Sequence, residues 1–220
     1  MLRDYGLGRY LHPLEPYGLT ADGRRLMSAF VYVLVFDGYA DWEPALAMCE
    51  VKKSGHFEVR TVGFGPEVVT SMGGLRVTPD LTLAEVTADG AALLILPGGD
   101  MWEQGPPGPD LTRVVKTFDA AGVPVAAICA ATVAVGQMGI MKGRQHTSNS
   151  KAYLSALVPG YQDEGRYSDE WAVRDGHLIT ASGIGSVEFA REIIELLGIY
   201  SEADQKIWWD IFKHGKMPAE

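Results

Sequence analysis

VPVAAICAATVAV, residues 123–135, passes from a short run of Val, Ala and Ile to a helix-forming run of small and apolar residues within one or two positions. The first half has the length and continuity of a strand buried on both faces. The second half predicts a helix from about residue 131. Cys129 therefore falls at the carboxyl end of a buried strand, on a tight turn, the arrangement that presents a nucleophile at an elbow. Ala130 and Ala131 leave room for such a turn, and the unpaired N–H groups of the following helix favour a thiolate. A free cysteine is equally at home as a small packing residue. Position alone leaves both readings open.

Outward from this stretch the pattern repeats. Apolar runs at 29–36, 57–64, 92–99 and 177–183 alternate with helical patterns at about Trp42–Lys53, 110–121 and Val187–Leu197. Alternation of buried strands with helices predicts an α/β fold with a mostly parallel sheet covered on both faces, whose sites gather at the carboxyl ends of the strands. Two stretches, 68–79 and 171–180, turn at Gly-Gly and Asp-Gly and predict antiparallel hairpins at the sheet edge. Residues 1–27, rich in Gly, Pro, Tyr and Arg, read as an N-terminal extension outside the core, with Met27 a candidate start. Residues 28–198 read as the α/β domain and 199–220 as an amphipathic helix and tail. Ile207, Trp208, Ile211 and Phe212 fall on one face of that helix, which docks on its own domain or on a second subunit.

The 220 residues carry a formal net charge of −9 and no local Lys/Arg cluster, which argues against nucleic acid and anionic membranes as partners. No apolar run reaches the roughly 18 residues of a membrane span, and the N-terminal residues do not resemble a signal peptide. Cys49 and Cys129 show no metal-ligand or disulfide spacing, so a cytoplasmic, reducing setting without metal is expected. Cys49, at an apolar mid-helix position, reads as a packing residue.

Two further segments converge on Cys129. LPGGD, 96–100, ends a buried strand with Gly98 and Gly99, whose backbone can approach a ligand and aim N–H groups at an oxyanion. DGYADWE, 37–43, leaves the first strand and puts Glu43 in the first turn of a helix, at the same sheet edge. Glu43 is either an acid favoured by the helix dipole or a partner of the thiol.

AICAAT (127–132), LPGG (96–99) and DGYADWE (37–43) together resemble the ThiJ/PfpI superfamily, related to class I glutamine amidotransferases and including the parkinsonism-associated deglycase. The likeness covers about residues 29–198 and implies a flavodoxin-like sandwich with a nucleophile elbow. It further implies Cys129 as nucleophile, Glu43 as the acid beside it, the N–H groups of Gly99 and Ala130 as an oxyanion hole, and a homodimer. Peptidase members carry a histidine directly after the cysteine, where this chain has Ala130. Other members take a histidine from the strand after the elbow helix, where this chain has Asn149. His146 lies three residues earlier and, on a strand, faces the opposite way.

The reading is thus a Cys129–Glu43 dyad, with Gly98, His146 and Asn149 as possible supporting residues, acting without cofactor on small carbonyl electrophiles in glyoxalase, deglycase, hydratase or hydrolase chemistry. Two alternatives are a thiol redox or stress sensor or chaperone without turnover and a glutamine amidotransferase-like module serving a partner.

Overall fold

The computed structural model describes residues 10–14 and 29–218. In chain order these form β1 (Ala29–Leu34), α1 (Trp42–Ser54), β2 (Phe57–Gly63), β3 (Val69–Thr70), β4 (Arg76–Val77), β5 (Leu81–Thr82) and β6 (Ala91–Leu96). A 3-10 helix (Asp100–Glu103) precedes α2 (Pro109–Ala120), β7 (Val125–Ile128), α3 (Ala131–Gln137) and α4 (Lys151–Leu157). A second 3-10 turn (Glu164–Arg166) precedes β8 (Ala172–Asp175), β9 (Leu178–Ala181), α5 (Ser186–Leu196) and α6 (Glu202–His214).

Seven strands form one sheet in the order β5-β2-β1-β6-β7-β9-β8, parallel throughout except for the β8–β9 edge pair. Each central strand feeds two cores because its side chains alternate. Val31, Val33, Leu93, Ile95, Ala126 and Ile128 join the α1 and α5 side. Tyr32, Leu34, Leu94, Leu96, Val125 and Ala127 join the α2, α3 and α4 side. Runs without polar interruption are therefore required, which is why they read as buried strands from sequence. The chain builds outward from β1 to β2 and β5, then returns to lay β6 on the other flank of β1. In sheets of this kind the ligand crevice lies at the carboxyl ends where the order reverses, here between β1 and β6.

Both predicted hairpins form. β8–β9 closes one sheet edge, whereas β3–β4 stands apart as a two-stranded ribbon, so only one of the two decorates the edge. The ribbon is tied to the loop after β1: Gly38 N–H donates to Thr70 O, Thr70 N–H to Asp37 Oδ1 at 2.8 Å, and the Ser71 hydroxyl to Asp41 Oδ2 at 2.6 Å.

α6 docks on its own domain, against α5. Trp208 is fully buried there, Ile207 and Phe212 pack beside it, and Ile211 is half-buried. The Ser201 hydroxyl caps the helix by accepting the Asp204 N–H. Residues 10–14 depart from the predicted external extension: Leu11 is buried in the α5–α6 core, Pro13 bridges Tyr200, and Leu14 N–H donates to Ile199 O at 3.0 Å. The rest of the 1–27 stretch, with Met27, lies outside the described residues. Cys49 is exposed on α1, not a packing residue.

Candidate active site

Cys129 follows β7 with a φ of 59°, making it the non-glycine residue with positive φ among those described. Such a conformation costs on the order of 1–3 kcal/mol and persists only where the surroundings impose it. Here Cys129 N–H donates to Ala181 O of the neighbouring β9 end at 2.9 Å. Its carbonyl accepts from Thr132 N–H at 3.1 Å and from the Thr132 hydroxyl at 2.6 Å. Thr132 in turn shares a 2.6 Å hydrogen bond with the Ser148 hydroxyl. Both hydroxyls are buried, so the elbow is clamped from two sides. α3 runs only seven residues, and Ala130 occupies its N-cap with helical dihedrals.

Glu43 reaches the same point from the first turn of α1 and is fully buried. Its Oε2 accepts the Gly98 N–H at 2.6 Å. Its Oε1 has no hydrogen-bond partner of good geometry among the described residues. A methyl group added to Gly183 would fall 2.8 Å from Cys129 Sγ and 3.3 Å from Glu43 Oε1, so these two atoms flank one point. A methyl on Gly98 would fall 2.7 Å from Cys129 Cβ and 2.8 Å from Glu43 Oε2. Gly98 and Gly183 are thus walls of the site, and only glycine leaves the thiol and carboxyl their present places.

Asn149 supplies the third contact. Its Nδ2 donates to Sγ at 3.4 Å, while its Oδ1 accepts the Gly183 N–H at 2.9 Å, which fixes the orientation of the amide. His146 does not reach the sulfur. It is buried, with Nδ1 at 2.8 Å from Arg144 O and Nε2 paired with the Tyr161 hydroxyl. The segment 143–150 is not a regular strand; its one pairing is the His146–Tyr167 bridge, so Asn149 is turned by loop geometry and not by strand alternation. Gly99 N–H makes no hydrogen bond among the described residues, and Ala130 N–H lies within reach of Sγ. Gly99 also has no room for a side chain: an added methyl would meet the Phe36 ring at 2.6 Å.

Burial pushes Glu43 up to about 7, against the lowering influence of the Gly98 N–H and the Cys129 thiol. Burial also pushes the Cys129 thiol up to about 11, with the Glu43 charge adding to it and the Asn149 amide and Ala130 N–H opposing. The helix-terminus argument for a lowered thiol is therefore outweighed by desolvation and the carboxylate. Because the two groups face each other, they titrate as a pair. Between these values the pair holds one proton for two atoms. If that proton sits on Oε1, the otherwise unpartnered oxygen donates to Sγ, and the sulfur anion gains Glu43, Asn149 and Ala130 as donors.

Of the residues that the sequence offers for the site, Cys129, Glu43, Gly98, Ala130 and Asn149 meet at one point, while Gly99 adjoins them in the chain and packs against Phe36. Sequence reasoning missed Gly183, Thr132 and Ser148. Gly183 follows β9 as Gly98 follows β6, so a strand-end glycine was the available signal. Among the described residues no three His, Cys, Asp or Glu side chains gather as metal ligands. No helix among them is long and apolar enough to cross a membrane. His177, outside the crevice, lies 2.9 Å from Asp119 Oδ1, which also pairs with Arg144 at 2.6 Å.

Comparison with known proteins agrees with this fold. The sequence pattern of the DJ-1/PfpI family matches residues 29–196. A Bacillus subtilis protein named as an uncharacterized protease, YoaZ, is 35% identical over 193 residues, which span 84% of this chain and 91% of that protein. A deglycase of Thermococcus kodakarensis is 30% identical over 168 residues, 76% of this chain and 98% of its own. The crystal structure of a DJ-1 superfamily protein from Agrobacterium tumefaciens, Atu0886, superposes with a TM-score of 0.77 at 34% identity, covering 86% of this chain and all of that one (100%).

Proposed function

The chain belongs to the DJ-1/PfpI family, and from that premise we propose that it is a cysteine-dependent enzyme acting on small reactive carbonyls, in glyoxalase- or deglycase-like chemistry or as a small-molecule hydratase or hydrolase. The observation that carries this reading is the strained Cys129 whose sulfur shares one enclosed point with a buried Glu43 of raised pKa. A packing cysteine needs neither the positive φ nor the carboxyl beside it.

Cys129 is the nucleophile and Glu43 its acid–base partner in this proposal. With methylglyoxal, the sulfur adds to the aldehyde carbon while the proton of the pair stays on Glu43 Oε1. The N–H groups of Gly99 and Ala130 stabilise the hemithioacetal oxyanion. Glu43 then gives its proton to that oxyanion, and the resulting carboxylate takes the proton of the former aldehyde carbon and returns it to the adjacent carbonyl carbon through an enediol, while the first hydroxyl's proton passes to the second oxygen. This leaves a lactoyl thioester and an ionised Glu43 that takes a proton from the attacking water. Water cleaves it to lactate and returns the thiol. Methylglyoxal plus water thus equals lactate and a proton, with no net oxidation and no cofactor. Gly98 N–H holds Glu43 in place, and Asn149 holds the sulfur anion.

No histidine among the described residues touches Cys129, so the Cys–His pairing that peptidase or amidotransferase chemistry would use is not formed by them, which weighs against those reactions. A homodimeric, cytoplasmic protein with a small-molecule substrate belongs to the same proposal; light scattering in solution tests the dimer.

The deciding experiment is lactate formation from methylglyoxal without added thiol. Many turnovers by the wild type, and none by Cys129→Ser, are expected. One equivalent of cysteine oxidised by peroxide, with no carbonyl turnover, identifies a redox sensor and sinks the enzyme reading.

A further inference from the structure

The mouth of the Cys129 crevice carries a carboxylate that the proposed reaction does not use. Glu103 lies in the 3-10 helix that directly follows Gly98 and Gly99 and packs against α3. Its Oε1 accepts a hydrogen bond from the Tyr153 hydroxyl at 2.6 Å. Tyr153 stands in the first turn of α4, where the Ser150 hydroxyl accepts its N–H at 3.0 Å and caps the helix. Four residues earlier is Asn149, with its amide on Sγ. The segment 149–153 therefore spans from the sulfur to the Glu103 carboxylate.

Tyr153 is half-buried and packs on the same core as Cys129. Its phenol is raised by burial first and then by Glu103, and it also responds to charge on Cys129 and to the Asn149 amide. A phenol has one proton. Tyr153 donates it to Glu103, so its oxygen turns lone pairs, not a donor, toward the crevice. Lys151, the cation nearest in this turn, lies 5.9 Å over the Tyr167 ring. No Lys, Arg or His among the described residues forms an ion pair with Glu103. The Tyr153 oxygen is met by the Asn149 amide, so the mouth presents an oriented carboxylate that no ion pair neutralises among the described residues.

We propose that Glu103, pinned by Tyr153, is a specificity-determining charge that excludes carboxylate-bearing carbonyl compounds from Cys129 and reserves the crevice for neutral or cationic ones. α-Oxoaldehydes and amine-bearing carbonyls are admitted, and α-oxo acids are repelled. The selection acts through space on the approaching substrate, so it weakens with salt. This inference rests on Cys129 being the reactive group of the proposed function.

The test compares alkylation of Cys129 by iodoacetamide, which is neutral, with iodoacetate, which is an anion. Each forms one S–C bond and releases iodide from the same thiolate. Their rate ratio cancels the thiolate fraction and keeps only the effect of charge. In Glu103→Gln at low salt, the iodoacetate rate is expected to rise roughly fivefold relative to iodoacetamide, the size of a screened like-charge contact near a surface. Tyr153→Phe keeps the carboxylate but frees it, and about a twofold change is expected. At 1 M salt, where the screening length falls to about 3 Å, the difference between wild type and Glu103→Gln is expected to vanish. An unchanged ratio in Glu103→Gln overturns the proposal, because iodoacetamide in the same sample reports that the thiol is intact and reachable. Methylglyoxal turnover is scored in parallel. A ratio that moves in a protein without turnover keeps the charge selection and removes the catalytic reading; turnover with an unmoved ratio does the reverse.

Discussion

Replacing Glu43 with Gln tests the buried pair through stability alone. Gln keeps the shape: its amide oxygen accepts the Gly98 N–H now bound at 2.6 Å, and its NH2 group takes the place of a protonated Oε1 beside the sulfur. In the wild type, the carboxyl moves from 4.5 to about 7 on folding. A raised folded-state pKa means that the folded protein binds the proton more tightly than the unfolded one. Stability from this source is complete below pH 4.5 and is lost as pH rises to about 7. Each unit is worth about 1.36 kcal/mol, so the interval of 2.5 units amounts to roughly 3 kcal/mol. The argument holds whichever of the two atoms carries the remaining proton, because linkage counts protons and not their positions. Glu43→Gln has no such proton to lose. Urea unfolding of the reduced proteins at intervals from pH 4.5 to 7.5, followed by tryptophan fluorescence, is expected to show the variant gaining roughly 3 kcal/mol on the wild type across that range. All other groups cancel in the difference. Parallel stability curves for the two proteins would refute the reasoning and return Glu43 to an ordinary carboxylate.

Three further outcomes follow from the same geometry. Alkylation of wild-type Cys129 is expected to rise with pH through about 7, where the pair releases its first proton, and Glu43→Gln is expected to lose that inflection; a wild-type profile with no inflection below the ordinary thiol value of about 8.5 contradicts the shared proton. Gly183→Ala brings a methyl 2.8 Å from Sγ, so iodoacetamide reactivity is expected to drop at least tenfold while far-UV circular dichroism stays unchanged; reactivity near that of the wild type shows the wall to be dispensable. Thr132→Val keeps the volume but removes the clamp on the Cys129 carbonyl and orphans the buried Ser148 hydroxyl, costing about 1–3 kcal/mol in urea unfolding; a loss below about 0.5 kcal/mol means that the β9 pairing holds the elbow alone.

Much of this was legible because buried parallel strands and their covering helices leave long apolar signatures. VPVAAIC and ALLIL announce two-sided burial, and a glycine pair or a cysteine at the end of such a run can only lie at a strand end. Asn149 was found by its place after the elbow, yet its orientation was not, since that depends on Gly183 N–H, thirty-four residues away. The resemblance puts His146 on a strand after the elbow helix; the chain instead bends to satisfy its ring with Arg144 O and Tyr161. The thiol's pKa was misjudged for a similar reason. Helix polarity is visible in sequence, whereas the depth of burial and the carboxylate beside the sulfur exist only once α1 and β7 are brought together. Leu11 escaped notice because a single buried residue in a segment without periodicity carries no pattern.

That short segment has a bearing on how the chain comes into being. Leu14 pairs with Ile199 and Pro13 with Tyr200, so these residues find their partners 185 and 187 positions later. At synthesis speeds of roughly 5–20 residues per second, this leaves Leu11 without its seat for on the order of 10–40 s after it is made. The sheet's centre, β1 with β2 and β6, is complete well before that. The seam between residues 10–14 and the α5–α6 junction is therefore a late stitch of assembly, closed only after the ribosome has delivered the whole sheet and α5.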